Sequence, residues 1–112
     1  MDPSKIYSMT LTQLEDTEVQ MTSPNADALL QQASQAARQQ AALLLLKVHQ
    51  ARIALGNVAL QGIAGQMTAN EAALTAGTAA VKAELATLDN IAQVLNTIST
   101  LVGIVAQIVP MV

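Results

Sequence analysis

The sequence predicts an all-α protein, and three observations carry that prediction. Helix formers such as Ala, Leu, Gln and Glu dominate the middle of the chain, while 112 residues include only five Gly and three Pro. The hydrophobic share is 52%, yet the aromatics amount to Tyr7 alone, so the apolar groups are thin aliphatics suited to lining helices. In the C-terminal segment those aliphatics recur at heptad spacing. Disorder is excluded for residues 24–112, because disordered chains are poor in aliphatics and rich in charge, and only 12% of this chain is charged.

Residues 1–23 read as an irregular or short-helix segment. Their apolar positions are Met9, Leu11, Leu14, Val19 and Met21. Thr10 with Gln13, or Thr12 with Glu15, fits a capping box, whereas the alternation Glu18-Val19-Gln20-Met21 also fits an extended strand.

Ser23-Pro24 starts the first long helix, since Ser accepts from free amides at N-cap and Pro at N1 loses no bonded donor. That helix is expected to run over about residues 24–64, with Gly65 as its left-handed stop. A tight turn over residues 65–68 follows. Thr68-Ala69-Asn70-Glu71 has the capping-box pattern, in which the Thr68 hydroxyl and Glu71 carboxylate each take an orphan amide. The second helix then spans about residues 69–109 until Pro110 forbids another turn.

Each helix is roughly 40 residues, or about 60 Å at 1.5 Å per residue. Matched lengths and a short connection predict a long antiparallel helical hairpin, coiled-coil-like, over residues 24–112. The runner-up is a four-helix bundle, reached if Gly56-Asn57, Gly62 or Gly77 interrupts the rods.

The seam of the second helix comprises Leu74, Val81, Leu88, Leu95, Val102 and Val109, with Ile91, Ile98, Val105 and Val112 three residues after four of them. The first helix offers Leu30, Ala33, Ala37, Ala41, Leu44, Val48, Ala51, Leu55, Val58 and Gly62. Folding about residues 66–67 sets Ala33 and Ala37 against Leu95 to Val102, and Leu55 and Val58 against Leu74 and Gly77, so large meets small. A second stripe, Leu46, Ile53, Leu60 and Met67, is spaced by sevens and points elsewhere. A two-helix hairpin cannot bury it, so these four residues are the expected interface with a second copy or a larger helical partner. The alternative is that residues 1–23 fold back over them.

A net charge of −3 and a pI near 4.7 exclude nucleic acid as a general partner, which requires a basic face. Arg38, Lys47 and Arg52 nevertheless make the middle locally cationic, with no acid between Asp27 and Glu71. Glu15, Asp16 and Glu18 read as a solvated acidic surface. Without Cys there are no disulfides and no thiolate metal sites.

A catalytic site needs a nucleophile with its base, a carboxylate pair or a metal cluster, and the pattern contains none. His49, the one histidine, follows Val48 with Arg52 a turn away and no acid nearby in sequence, the setting of a polar-face histidine. Gly56, Gly62 and Gly65 lack the Lys-Ser/Thr ending of a phosphate loop, and their expected use is close helix approach. No catalytic residue, cofactor or metal is expected.

From Asn90 to Val112 no residue is charged, and about 20 such residues are enough to cross a bilayer. Gln93, Asn96 and Gln107 gather on one face, which favours a buried amphipathic helix over a span. The N-terminus lacks the charged and apolar regions of a signal peptide, so the expected location is the cytoplasm or a specialised export route. In size and hairpin shape the chain resembles the small helical WXG-type proteins exported by bacterial secretion systems. It has no Trp, however, and where that family carries Trp-x-Gly it reads Gly65-Gln66-Met67-Thr68.

Three functions fit these features. The first is a non-enzymatic structural or interaction protein assembling through apolar stripes. The second is a membrane-active effector or pore component using the uncharged C-terminal helix. The third is a chaperone or adaptor for an apolar partner helix.

Overall fold

A computed structural model describes residues 1–109. Pro110 and Val112, the expected stop and last seam position, lie outside the described residues. Among the described residues the chain forms six helices and no strand: α1 (Pro3–Met21), α2 (Pro24–Gln31), α3 (Gln35–Asn57), α4 (Leu60–Ala69), α5 (Glu71–Thr87) and α6 (Ile91–Ile108). The all-α class holds.

Short polar caps punctuate the chain. Asp2 caps α1, accepting from the Ser4 amide and hydroxyl at 2.9 Å each. Those two hydrogen bonds, the backbone one foremost, hold the Asp2 carboxyl below the usual carboxylate range. Ser23 caps α2, its Oγ accepting from Ala26 N at 3.3 Å with Pro24 next to it, as the sequence predicts. Ser34 then caps α3 by accepting from Ala37 N at 3.1 Å, which divides the first predicted rod a few turns after it starts. The rod breaks again at Val58, whose backbone is extended.

The expected turn at residues 65–68 is not a turn. Gly65 lies within α4, no glycine adopts positive φ among the described residues, and the Thr68 hydroxyl donates back to Ala64 O at 3.1 Å. Thr68 and Glu71 therefore form no capping box. The bonds Asn70 N to Gln66 O and Leu74 N to Asn70 O keep helical spacing through the junction, so α4 passes into α5 with a bend.

The tight reversal comes instead at Leu88–Asn90. Leu88 sits at φ 46°, ψ 44°, the left-handed region, at a steric cost of about 1–2 kcal/mol for a residue with a Cβ. Asn90 Oδ1 then accepts from Gln93 N at 3.2 Å and starts α6. Leu88, expected mid-seam, is thus a half-buried turn residue.

The helices α1, α3, α6 and α5 pack in a ring, each on the next and α5 back on α1, with α4 also against α1. Extents of 43 × 26 × 18 Å leave no room for rods of about 60 Å. The arrangement corresponds to the runner-up bundle, with α1 as an unanticipated member. Seam residues Leu44, Val48, Leu55, Leu74, Val81, Leu95, Ile98, Val102 and Val105 are all buried in one core, with Val58, Leu88 and Ile91 half-buried against it. Their pairing differs from the hairpin register, because Ala41, Leu44 and Val48 meet Ile98. Gly77 faces Leu101, where an added Cβ would lie 3.4 Å from Leu101 Cδ1. Among the described residues Gly62 and Gly65 face nothing within 4 Å, so close helix approach applies to Gly77 and not to them.

Candidate interaction surface

Helix α1 reaches α3 through two polar contacts. The Tyr7 hydroxyl donates to Leu55 O at 2.8 Å near one end. Near the other, Glu18 serves two partners: Arg52 Nε donates to its Oε2 at 2.9 Å, and His49 Nδ1 lies 2.9 Å from its Oε1. Arg52 Nη2 is also 3.2 Å from His49 Nδ1. One ring nitrogen cannot serve both neighbours, since with a proton it donates to Glu18, and without one it accepts from Arg52.

The expectation that no acid orients His49 is therefore corrected: Glu18 arrives from a segment read as irregular. Once residues 3–21 are taken as a helix, Tyr7, Leu11 and Glu18 fall at helical spacing on one side of α1, but the polar residues Thr10, Gln13 and Thr17 on its buried face conceal that helix in the sequence. Glu15 and Asp16 stay exposed as expected, whereas Glu18 is only 24% exposed.

The predicted interface stripe is divided by the fold. Leu46 and Ile53 are exposed at 53% and 42%, but Leu60 is half-buried and Met67 wholly buried in the core. Packing of α1 on α4 explains the second pair, so the fold-back alternative holds for that half of the stripe. The exposed half gains Val19 from α1 and Leu43 from α3, at 68% and 63% exposure.

Two of them, Val19 and Leu46, line an open groove of about 610 Å³ with Glu18, Thr22, Ala42, Leu45 and His49. It has an aliphatic floor and one charged edge. Elsewhere the surface is blunt: α5 exposes Ala72, Ala76, Ala79 and Ala83, and α6 exposes Gln93, Asn96, Ser99 and Gly103. Among the described residues no three His, Asp or Glu side chains converge to hold a metal ion.

In α6, Val94, Leu95, Ile98, Leu101, Val102, Val105 and Ile108 are buried. Its 18 residues have a mean hydropathy of 1.6, enough in length and composition to cross a membrane, while the folded chain uses its apolar face as core. Comparison of the chain with protein-family models, with curated proteins and with solved structures finds no match in any of the three.

Proposed function

We propose that the protein is a non-enzymatic helical interaction protein that assembles with a second copy of itself through the exposed face of α3 and the adjoining edge of α1. The observation that carries this reading is that exposed Val19 and Leu46 line one groove and that exposed Leu43 and Ile53 stand at helical spacing from Leu46 on α3, when most other exposed positions are Ala or polar. Large aliphatic groups clustered in this way leave apolar surface in contact with water until something covers them.

Charge complementarity favours a second copy as the occupant. Exposed Glu15 and Asp16 lie on α1, at one edge of the aliphatic strip. Lys47 lies at the other edge, lining the α3–α6 groove with Gln40, Leu43 and Ser99. A two-fold axis over the strip sets the acidic edge of each copy against the Lys47 edge of the other, the self-complementary pattern of an isologous dimer.

Absolute mass by size-exclusion chromatography with light scattering tests this, read by refractive index because one Tyr absorbs little. A dimer is expected. The Leu46→Glu, Ile53→Glu chain should run as a monomer with its helical circular dichroism intact. A native chain that stays monomeric at every concentration sinks the reading.

A second reading rests on α6, whose 18 residues carry no charge and have a mean hydropathy of 1.6. In it, α6 enters a bilayer once the bundle opens. Leakage from anionic liposomes that depends on an intact α6 supports it, and a protein that never binds liposomes refutes it.

A further inference from the structure

Helix α1 packs on α3, α4 and α5 with an unusual inner face. Ile6, Leu14 and Met21 are buried there, but so are Thr10, Gln13 and Thr17, exposed by only 0%, 5% and 1%. Their hydrogen bonds stay inside α1. Thr10 Oγ1 donates to Ile6 O at 2.8 Å, Thr17 Oγ1 to Gln13 O at 2.7 Å, and Gln13 Nε2 to Thr17 Oγ1 at 3.4 Å. The helix carries these bonds with it wherever it goes.

The core that α1 packs on is aliphatic. Leu55 of α3, Met67 of α4, and Leu74 and Val81 of α5 are buried at 0–1% exposure in the same hydrophobic cluster as Ile6, Leu14 and Met21. The exception is Thr78 of α5, whose buried hydroxyl finds no partner among the described residues. A slot lined this way is filled better by a continuous aliphatic stripe than by hydroxyls and an amide. Beyond packing, α1 is tied to α3 only by Tyr7 to Leu55 O and by Glu18 to His49 and Arg52, among the described residues. The Glu18 contacts are part-exposed ion pairs, a class that contributes little and is screened by salt, and one neutral hydrogen bond such as that of Tyr7 contributes about 1 kcal/mol net.

We infer that the slot under α1 is a docking site for an amphipathic helix of a partner protein, and that α1 is its built-in cover. The partner helix carries aliphatic residues at the spacing of Ile6, Thr10, Gln13, Leu14, Thr17 and Met21. It also carries a carboxylate at the position of Glu18, because His49 and Arg52 stand at the rim and lose their acid when α1 leaves. The slot lies beneath α1, whereas the self-association face uses the outer edge of the same helix with Val19, Glu15 and Asp16, so a partner that lifts α1 also removes that edge.

The probe is a labelled synthetic peptide with the sequence of residues 3–21 carrying Thr10→Leu, Gln13→Leu and Thr17→Leu. It is titrated into the full chain and into the full Tyr7→Phe, Glu18→Gln chain, after circular dichroism has shown the latter to be helical. Binding should be about tenfold tighter to the variant, whose cover is open more of the time. Hydrogen exchange in the bound state should show α1 amides unprotected and α6 amides unchanged. The monomeric Leu46→Glu, Ile53→Glu chain keeps the slot and should bind the peptide at least as tightly as the native chain, so a loss of binding there overturns the inference whether or not the dimer forms. Absence of binding to either chain overturns the inference, and so does binding that leaves α1 protected.

Discussion

Helices α1 and α6 are nearly equal in length, 19 and 18 residues, and both are packed on two neighbours in the ring, yet they are held by different physics. On α6 the buried positions are all aliphatic and the exposed ones mostly small and neutral. On α1 half of the buried positions are Thr or Gln, and the exposed ones include Lys5, Glu15 and Asp16. Burial of apolar area stabilises in proportion to the area removed from water, whereas a buried hydroxyl bonded to its own helix contributes little to attachment. The two helices thus show that being covered and being anchored are separate properties.

Four substitutions break or sharpen that contrast. The largest effect belongs to α6: Leu101→Ala removes a side chain only 1% exposed and should lower global stability by about 2–5 kcal/mol, a large share of the about 5–15 kcal/mol a domain possesses. Chemical denaturation followed by circular dichroism measures it, and a loss confined to local exchange in α6 would break the contrast. On α1, Gln13→Leu should raise stability by about 1–2 kcal/mol, since it exchanges a buried amide for aliphatic surface. A loss instead would mean that the amide bonds across to another helix in solution.

Gly103→Ala comes next. Gly103 lies within α6 with nothing among the described residues within 4 Å of the added methyl, so helix propensity alone should contribute about 1 kcal/mol. Smallest is Glu18→Gln, which should cost no more than about 1 kcal/mol for a part-exposed pair. Its effect should vanish in high salt, measured as the difference in denaturation midpoint from the native chain.

Those same two helices show where sequence reasoning succeeds. The buried face of α6 is legible because Leu95, Ile98, Val102 and Val105 repeat against Gln93, Asn96 and Thr100. Helix α1 is hard to read because Thr10, Gln13 and Thr17 stand where an aliphatic stripe should be. Ser23 is visible as a cap since Pro24 follows it. Ser34 is not, because Ala and Gln surround it on both sides and nothing marks a boundary.

Leu88 is concealed by its own chemistry, as Leu fits a heptad seam and a left-handed turn normally calls for Gly or Asn. Thr68 and Glu71 match a capping box by spacing, but the helix continues through them and the Thr68 hydroxyl bonds backward. Half of the interface stripe was legible in the same sense. Leu46 and Ile53 face water, and the covering of Leu60 and Met67 depends on α1, which the periodicity of the stripe itself does not encode.

Tyr7, the chain's one aromatic residue, stands at the contact between α1 and α3 with its phenol bonded to Leu55 O. In a proton magnetic resonance spectrum, a methyl signal displaced by a ring current therefore comes from a neighbour of this phenol ring or of the His49 imidazole, and both rings stand at the contact of α1 with α3. Those few upfield lines form a native gauge of whether the N-terminal helix is seated, free of labels and of overlap. They should collapse toward ordinary positions as the helix lifts, while the dispersion from the other helices persists.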